Sequence, residues 1–187
     1  MRKEDLFTPD CIRTYSGIYM NIFEPTLDMI CIEDIAHSLS HQCRFAGHLP
    51  VFYSVAQHSV IASRYVSSEH ALAALLHDAS EAYLCDIPRQ IKPKLTNYKE
   101  IEDNLMKLIA EKFGFGYPLH SDVKQADEFM LQWEWHSLML QDGTMKGITP
   151  SLHYKAKRDF ISRYEELVNL KTKQYEVSSV GYDGSFR

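Results

Sequence analysis

Apolar residues recur along most of this chain at the three- and four-residue steps of an amphipathic helix, and no stretch alternates persuasively enough to predict a strand. Ile32, Ile35, Ala36, Leu39 and Cys43 predict a helix ending near Arg44, with Glu33 and Asp34 in a first turn where the helix dipole favours negative charge. Phe52 to Val66 predicts a second, with Val55, Ala62 and Val66 on its inward side. Ser67 and Ser68 are N-cap candidates for a third, rich in Ala and Leu, from Glu69 to about Leu84; it stops before Asp86-Ile87-Pro88, where the residue preceding proline is pushed out of helical geometry. Further helices are predicted over Tyr98–Phe113 with Gly114 as the stop, from Ser121-Asp122 to about Leu140, and over Leu152–Leu170. Residues 1–31, broken by Pro9, Gly17 and Pro25, read as an irregular segment with Tyr15, Tyr19 and Phe23 against the core, and residues 172–187 as a frayed tail. The expected fold class is all-α, a single helical-bundle domain over residues 32–171.

The polar residues inside those apolar faces carry the chemistry. In Ala74-Leu75-Leu76-His77-Asp78-Ala79-Ser80-Glu81, three ionisable side chains interrupt an apolar run, and burying them is unfavourable unless something compensates. On a continuous helix, Glu81 lies four residues after His77 and three after Asp78, so all three project over one sector. His58 falls on the inward side of its helix at i+3 from Val55, and Asp127 stands beside Ala126, one turn before Met130 and Leu131. His58, His77, Asp78 and Asp127 thus form a mixed nitrogen and oxygen donor set, suited to Mn, Fe, Co, Ni, Zn or Mg, with Glu81 one turn away near an attacking water.

Rival features are weaker. His37 and His41 have the i, i+4 spacing of a zinc face but no following glutamate, and read as rim histidines. The loop Arg44-Phe45-Ala46-Gly47-His48-Leu49-Pro50 brings together a guanidinium and an aromatic ring, either a surface residue beside a core one or a phosphate clamp beside a stacking platform. Arg89, Lys92 and Lys94 form a short basic loop after the proposed metal site, which is either solvated or aimed at an anion.

Composition narrows the class. The 187 residues suffice for one domain, and a net charge of −5 argues against a protein that coats nucleic acid or anionic membrane. No apolar run is long enough to span a membrane, and Met1-Arg2-Lys3-Glu4-Asp5 lacks the apolar core of a secretion signal, so a cytoplasmic protein is expected. Cys11, Cys31, Cys43 and Cys85 are scattered without a Cys-x-x-Cys pair and read as reduced, mostly buried small hydrophobes.

His58, then His77-Asp78, then a distant Asp127 resembles the signature of the HD-domain metal-dependent phosphohydrolases. His77-Asp78-Ala79-Ser80-Glu81 followed by Asp86-Ile87-Pro88 and Tyr98-Lys99-Glu100-Ile101-Glu102 is similar to the small bacterial 5′-deoxyribonucleotidases of the YfbR type. Cys43-Arg44-Phe45-Ala46-Gly47-His48 and Phe52-Tyr53-Ser54-Val55-Ala56-Gln57-His58 resemble still more their phage and prophage relatives, which include deoxyadenosine triphosphate triphosphohydrolases. The resemblance covers roughly residues 30–140. It implies an HD-domain bundle and a divalent metal on His58, His77, Asp78 and Asp127. It also implies Glu81 beside the attacking water, Asp86 against the sugar 3′-hydroxyl, Arg44 on a phosphate and Phe45 where YfbR-type enzymes carry tryptophan. Lys92 and Lys94, and with them Lys99, would neutralise a longer phosphate chain. The expected activity is hydrolysis of a deoxynucleotide at the 5′ phosphoester, releasing deoxynucleoside and triphosphate. Orthophosphate from a monophosphate is the alternative, and a non-catalytic nucleotide-binding helical protein is the alternative of another class. A mixed-valent di-iron oxygenase would need further ligands that the sequence does not place. The expected partner is a small-molecule deoxynucleotide, with no nucleic acid polymer or membrane, and the resemblance suggests a homo-oligomer. Trp133, Trp135 and Met139 read as core or subunit contacts.

Overall fold

A computed structural model describes residues 10–141 and 147–180, with side chains as far as Thr172. Among these, seven α-helices make up most of the structure, and the one sheet has two strands. The helices are α1 (Ile32–His41), α2 (Val55–Ala62), α3 (Ala71–Leu75), α4 (Glu81–Leu84), α5 (Tyr98–Phe113), α6 (Ser121–Glu134) and α7 (His153–Val180); α6 continues as π-helical turns over Trp135–Leu140. Helix α7 lies across α1, α2 and α3 and buries Ala156, Phe160 and Leu167 in the main core, where they meet Ile35, Leu39, Val55, Leu72 and Leu75. A fully buried Phe160 alone stabilises the bundle by roughly 1.5–3 kcal/mol relative to an exposed ring. None of the helices is long and apolar enough to cross a membrane, among the described residues.

The N-terminal segment is less irregular than its prolines suggest. Strands β1 (Cys11–Arg13) and β2 (Tyr19–Asn21) pair antiparallel around a turn closed by Thr14 N–H to Ile18 O at 2.8 Å, with Gly17 at φ +92°. Three-residue strands leave too little alternation to read. Met20 and Ile30 are the residues buried against the core, whereas Tyr15, Tyr19 and Phe23, expected there, are 60%, 40% and 62% exposed. The cysteines expected to be mostly buried are half-buried at Cys11, Cys31 and Cys43 and exposed at Cys85. Ser16 in the turn ties the hairpin to α1, its N–H and Oγ–H donating to the two Asp34 carboxylate oxygens at 2.6 and 2.7 Å.

Helix α5 runs over the span expected from its periodicity, between Asn97 at φ 62° and Gly114 at φ 69°, two left-handed residues that mark its ends. Helix α2 is shorter than its pattern. Phe52 to Ser54 are extended because Tyr53 O accepts from Arg44 N–H at 2.9 Å, and Ser54 caps the helix by accepting from Gln57 N–H at 3.2 Å. Its far end stops where the Arg163 guanidinium takes the Ser63 carbonyl at 3.0 Å. Helix α7 extends past the expected end at Leu170, and residues 172–180, read as tail, are helical. No proline or glycine occurs before Gly181 to stop it. Residues 181–187 of that tail, and residues 1–9, lie outside the described residues.

The largest departure is in the central helix expected over Glu69–Leu84, which is two short helices with a tightened turn between them. His77 Nδ1–H donates to Ala74 O at 2.8 Å. A continuous helix would pair that carbonyl with the N–H four residues on, at Asp78. From there the backbone uses three-residue bonds, Ala79 N–H to Leu76 O at 3.1 Å and Glu81 N–H to Asp78 O at 2.9 Å. The side chain that breaks the helix is a candidate metal ligand.

Candidate metal centre

Helix α2 supplies His58, the tightened turn supplies His77 and Asp78, and α6 supplies Asp127. Both imidazoles are anchored from behind. His58 Nδ1 lies 2.6 Å from Glu134 Oε1, and His77 Nδ1 lies 2.8 Å from the Ala74 carbonyl oxygen. A carbonyl or an ionised carboxylate only accepts, so each Nδ1 carries a proton and each Nε2 is the ring nitrogen turned inward, where it can serve as a metal donor. The two Nε2 atoms are 3.2 Å apart. Asp127 Oδ1 is 3.2 Å from that of His58 and 3.6 Å from that of His77, while Asp78 Oδ2 is 3.2 Å from His77 Nε2 and 3.7 Å from His58 Nε2.

Lone pairs of two imidazoles and two carboxylates crowded at such distances repel one another until a positive charge sits among them. Bonds of 2.0–2.2 Å around one tetrahedral ion place ligand atoms about 3.3–3.6 Å apart, close to the separations here. One atom each from His58, His77 and Asp127 falls within 4.8 Å of the others, and the three residues can hold a metal ion. The local field fits that reading. Burial raises the Asp78 carboxyl, yet the neighbouring His77 overrides it and brings it down to about 2. Asp127, likewise opposed by burial, is held well below the carboxylate range by His58 and His77. Burial would lower both histidines, but Asp78 for His77, and Glu134 for His58, drive them upward.

Glu81 is 5% exposed. Its Oε1 accepts from Lys92 Nζ at 2.9 Å, and its Oε2 is buried with no hydrogen-bond partner among the described residues. Burial, and then Asp78, hold its carboxyl well above the usual glutamate range. Asp86 is half-buried, its N–H donating to Gln42 Oε1 at 2.8 Å; burial raises its carboxyl while the Arg44 charge opposes. Arg44, 9% exposed, gives its Nε–H to Glu134 Oε2 at 2.8 Å and has Nη1 3.7 Å from Asp78 Oδ2. Phe45 has its ring centroid 5.7 Å from the Arg44 guanidinium carbon and 6.1 Å from the Trp135 ring. Of the two lysines assigned to phosphate, Lys92 is held between Glu81 and Glu102 Oε1, the latter at 2.8 Å, and Lys94 is exposed on a 3-10 turn.

Two participants, Glu134 and Gln42, went unseen in the sequence. Glu134, fully buried, bonds His58, Arg44 and the Tyr53 hydroxyl at 3.0 Å, and so links the candidate metal cluster to the guanidinium. Its signal was present, since Glu134 lies two turns after Asp127 on the same face of α6. Gln42 bridges Glu81 O and Asp86 N–H, a contact with no local sequence signature, and Arg89 of the basic loop brings Nη2 to 3.7 Å from Asp127 Oδ2. His37 and His41 are not drawn into the cluster: they stack in a row with Tyr15 and His153. Beside His77, Asp78 and Asp127 opens a cavity of about 220 Å³ walled by Met106, Tyr117, Leu119, Val123 and Lys124, on the α5–α6 side. Arg44, Phe45 and Asp86 do not line it.

No protein-family model matches the chain. It is 41% identical over 172 residues to the uncharacterized protein YfdR of Escherichia coli (strain K12), an alignment that takes in 86% of this chain and 97% of the relative. An uncharacterized protein of Rhodobacter capsulatus is 35% identical over 124 residues, 61% of this chain and 63% of the relative.

Proposed function

We propose that this chain, which belongs to the family of Escherichia coli YfdR, is a metal-dependent phosphohydrolase of the HD-domain type that cleaves deoxynucleotides at the 5′ phosphoester. The observation that carries the reading is the convergence of His58, His77, Asp78 and Asp127 on one point, with both imidazoles oriented to offer Nε2. A divalent ion there supplies a Lewis acid for the phosphoryl oxygen and lowers the pKa of water toward neutrality.

The chain's own residues do the rest. Glu81, through its unpartnered Oε2, takes the proton as water attacks phosphorus, and the bond from phosphorus to O5′ breaks as O5′ takes a proton from solvent, releasing the deoxynucleoside. Lys92 opposes the rise that burial imposes on Glu81 and so favours the carboxylate that can act as base. Arg44, oriented by Glu134, holds the phosphate, Asp86 accepts from the sugar 3′-hydroxyl, and Phe45 covers sugar or base. The favoured substrate is a deoxynucleoside triphosphate such as dATP, which gives triphosphate as the second product. A deoxynucleoside monophosphate is the second reading, favoured by Lys92 being tied between two glutamates and by Lys94 lying out on the surface.

Incubation of the purified chain with Mn or Co ions and each deoxynucleoside mono-, di- and triphosphate, followed by identification of the released phosphate, tests both. Free triphosphate is expected; orthophosphate from monophosphates alone selects the second reading. No product from any substrate overturns the hydrolase and leaves a nucleotide-binding protein.

A further inference from the structure

We propose a second cation site, separate from the cluster above, in which His70, His120 and Asp122 take a zinc-type divalent ion on the outer side of the α3–α6 contact. His70 and His120 lie face to face, with ring centroids 4.1 Å apart and planes 19° from parallel, and Asp122 Oδ1 stands 3.3 Å from His120 Nδ1. One ligand atom from each residue falls within 4.8 Å of the other two.

Both histidines sit on fixed backbone. His70 precedes α3, with its N–H bonded to Ser67 O at 3.0 Å and its carbonyl to Ala74 N–H at 2.9 Å. His120 caps α6, its Nδ1 accepting from Asp122 N–H at 3.3 Å. Beneath them Ala73, Ala74 and Val123 form a small buried cluster that joins the two helices. Bringing three donors to one ion therefore asks for side-chain rotation alone.

Two imidazoles and a carboxylate are a borderline donor set that suits zinc, copper or nickel better than magnesium or calcium. Three protein ligands with water in the fourth position is an ordinary zinc arrangement. The N-terminal end of α6 disfavours a cation, and the Asp122 charge offsets it. His120 and Asp122 flank Leu119, Val123 and Lys124, which wall the cavity beside His77 and Asp127. An ion at this site pins that wall to α3.

Calorimetric titration of the full chain with zinc chloride tests the site without any substrate. His70→Ala removes a ligand whose side chain makes no capping hydrogen bond at the start of α3, and His120→Asn removes an imidazole while keeping a side chain that caps helices well. Each variant, compared with wild type at equal helicity by circular dichroism, is expected to bind one equivalent fewer. An unchanged count in either variant overturns the proposal. Zinc that both variants still hold reports on the first cluster, so failure of one site is distinguishable from failure of the other.

Discussion

The Glu81 carboxylate spends Oε1 on Lys92 and leaves Oε2 buried without a hydrogen-bond partner among the described residues, while Asp78, three residues earlier, faces the imidazoles. The two acids should therefore fail differently. Asp78→Ala is expected to lose both retained metal, measured by elemental analysis of the purified protein, and turnover. Glu81→Gln should keep its metal while kcat falls by about 10²- to 10⁴-fold, the usual share of a general base; full activity in that variant would remove Glu81 from the mechanism. Glu134 acts one step further out. Glu134→Gln leaves the Arg44 guanidinium without its closest counter-charge and His58 with a weaker acceptor, so metal affinity in a competition titration should drop by roughly 10- to 100-fold. His58 and Asp127 were legible in the sequence as polar residues interrupting apolar helical faces. Glu134 obeys the same rule, two turns beyond Asp127, but stands between two tryptophans and gives no reason locally for a buried charge.

At the level of elements, α5 was readable because its apolar stripe and its terminal glycine are local signals. The central helix was not. Alanine and leucine favour helix at every position from 71 to 76, and the interruption comes from a ring proton that competes for the Ala74 carbonyl. Removing that competitor should let the helix close: His77→Ala is expected to abolish metal binding and yet to show slightly more far-ultraviolet helical signal than wild type. Equal or lower helicity would mean that the turn is imposed by its surroundings. The hairpin's attachment to α1 makes a separate prediction. Burial would raise the Asp34 carboxyl, but the two bonds from Ser16 keep it below its ordinary value. A depressed native pKa adds stability in full above the unfolded value of about 3.9, and that stability is lost as pH falls through the native one. Asp34→Asn should destabilise the protein at neutral pH by on the order of 1–3 kcal/mol. In denaturant titrations the gap to wild type should shrink as the pH drops below about 4.

The domain as a whole is assembled so that α7, which carries none of the candidate ligands, lies across α1, α2 and α3, while α2 and α3 each meet α6. His58, the His77-Asp78 pair and Asp127 are distant along the chain and meet only when those contacts exist. A bound ion then favours the native state, by about 2.7 kcal/mol when free metal stands at one hundred times Kd, so chelation should lower the melting temperature. The same scatter of ligands makes the ion a gauge of nativeness, since its four ligands converge only through contacts between separate helices. When a sample loaded with one equivalent is heated with a zinc-sensing dye, brightening should coincide with collapse of the ellipticity; light that comes on many degrees earlier would mean that the ligands part company while the bundle still stands.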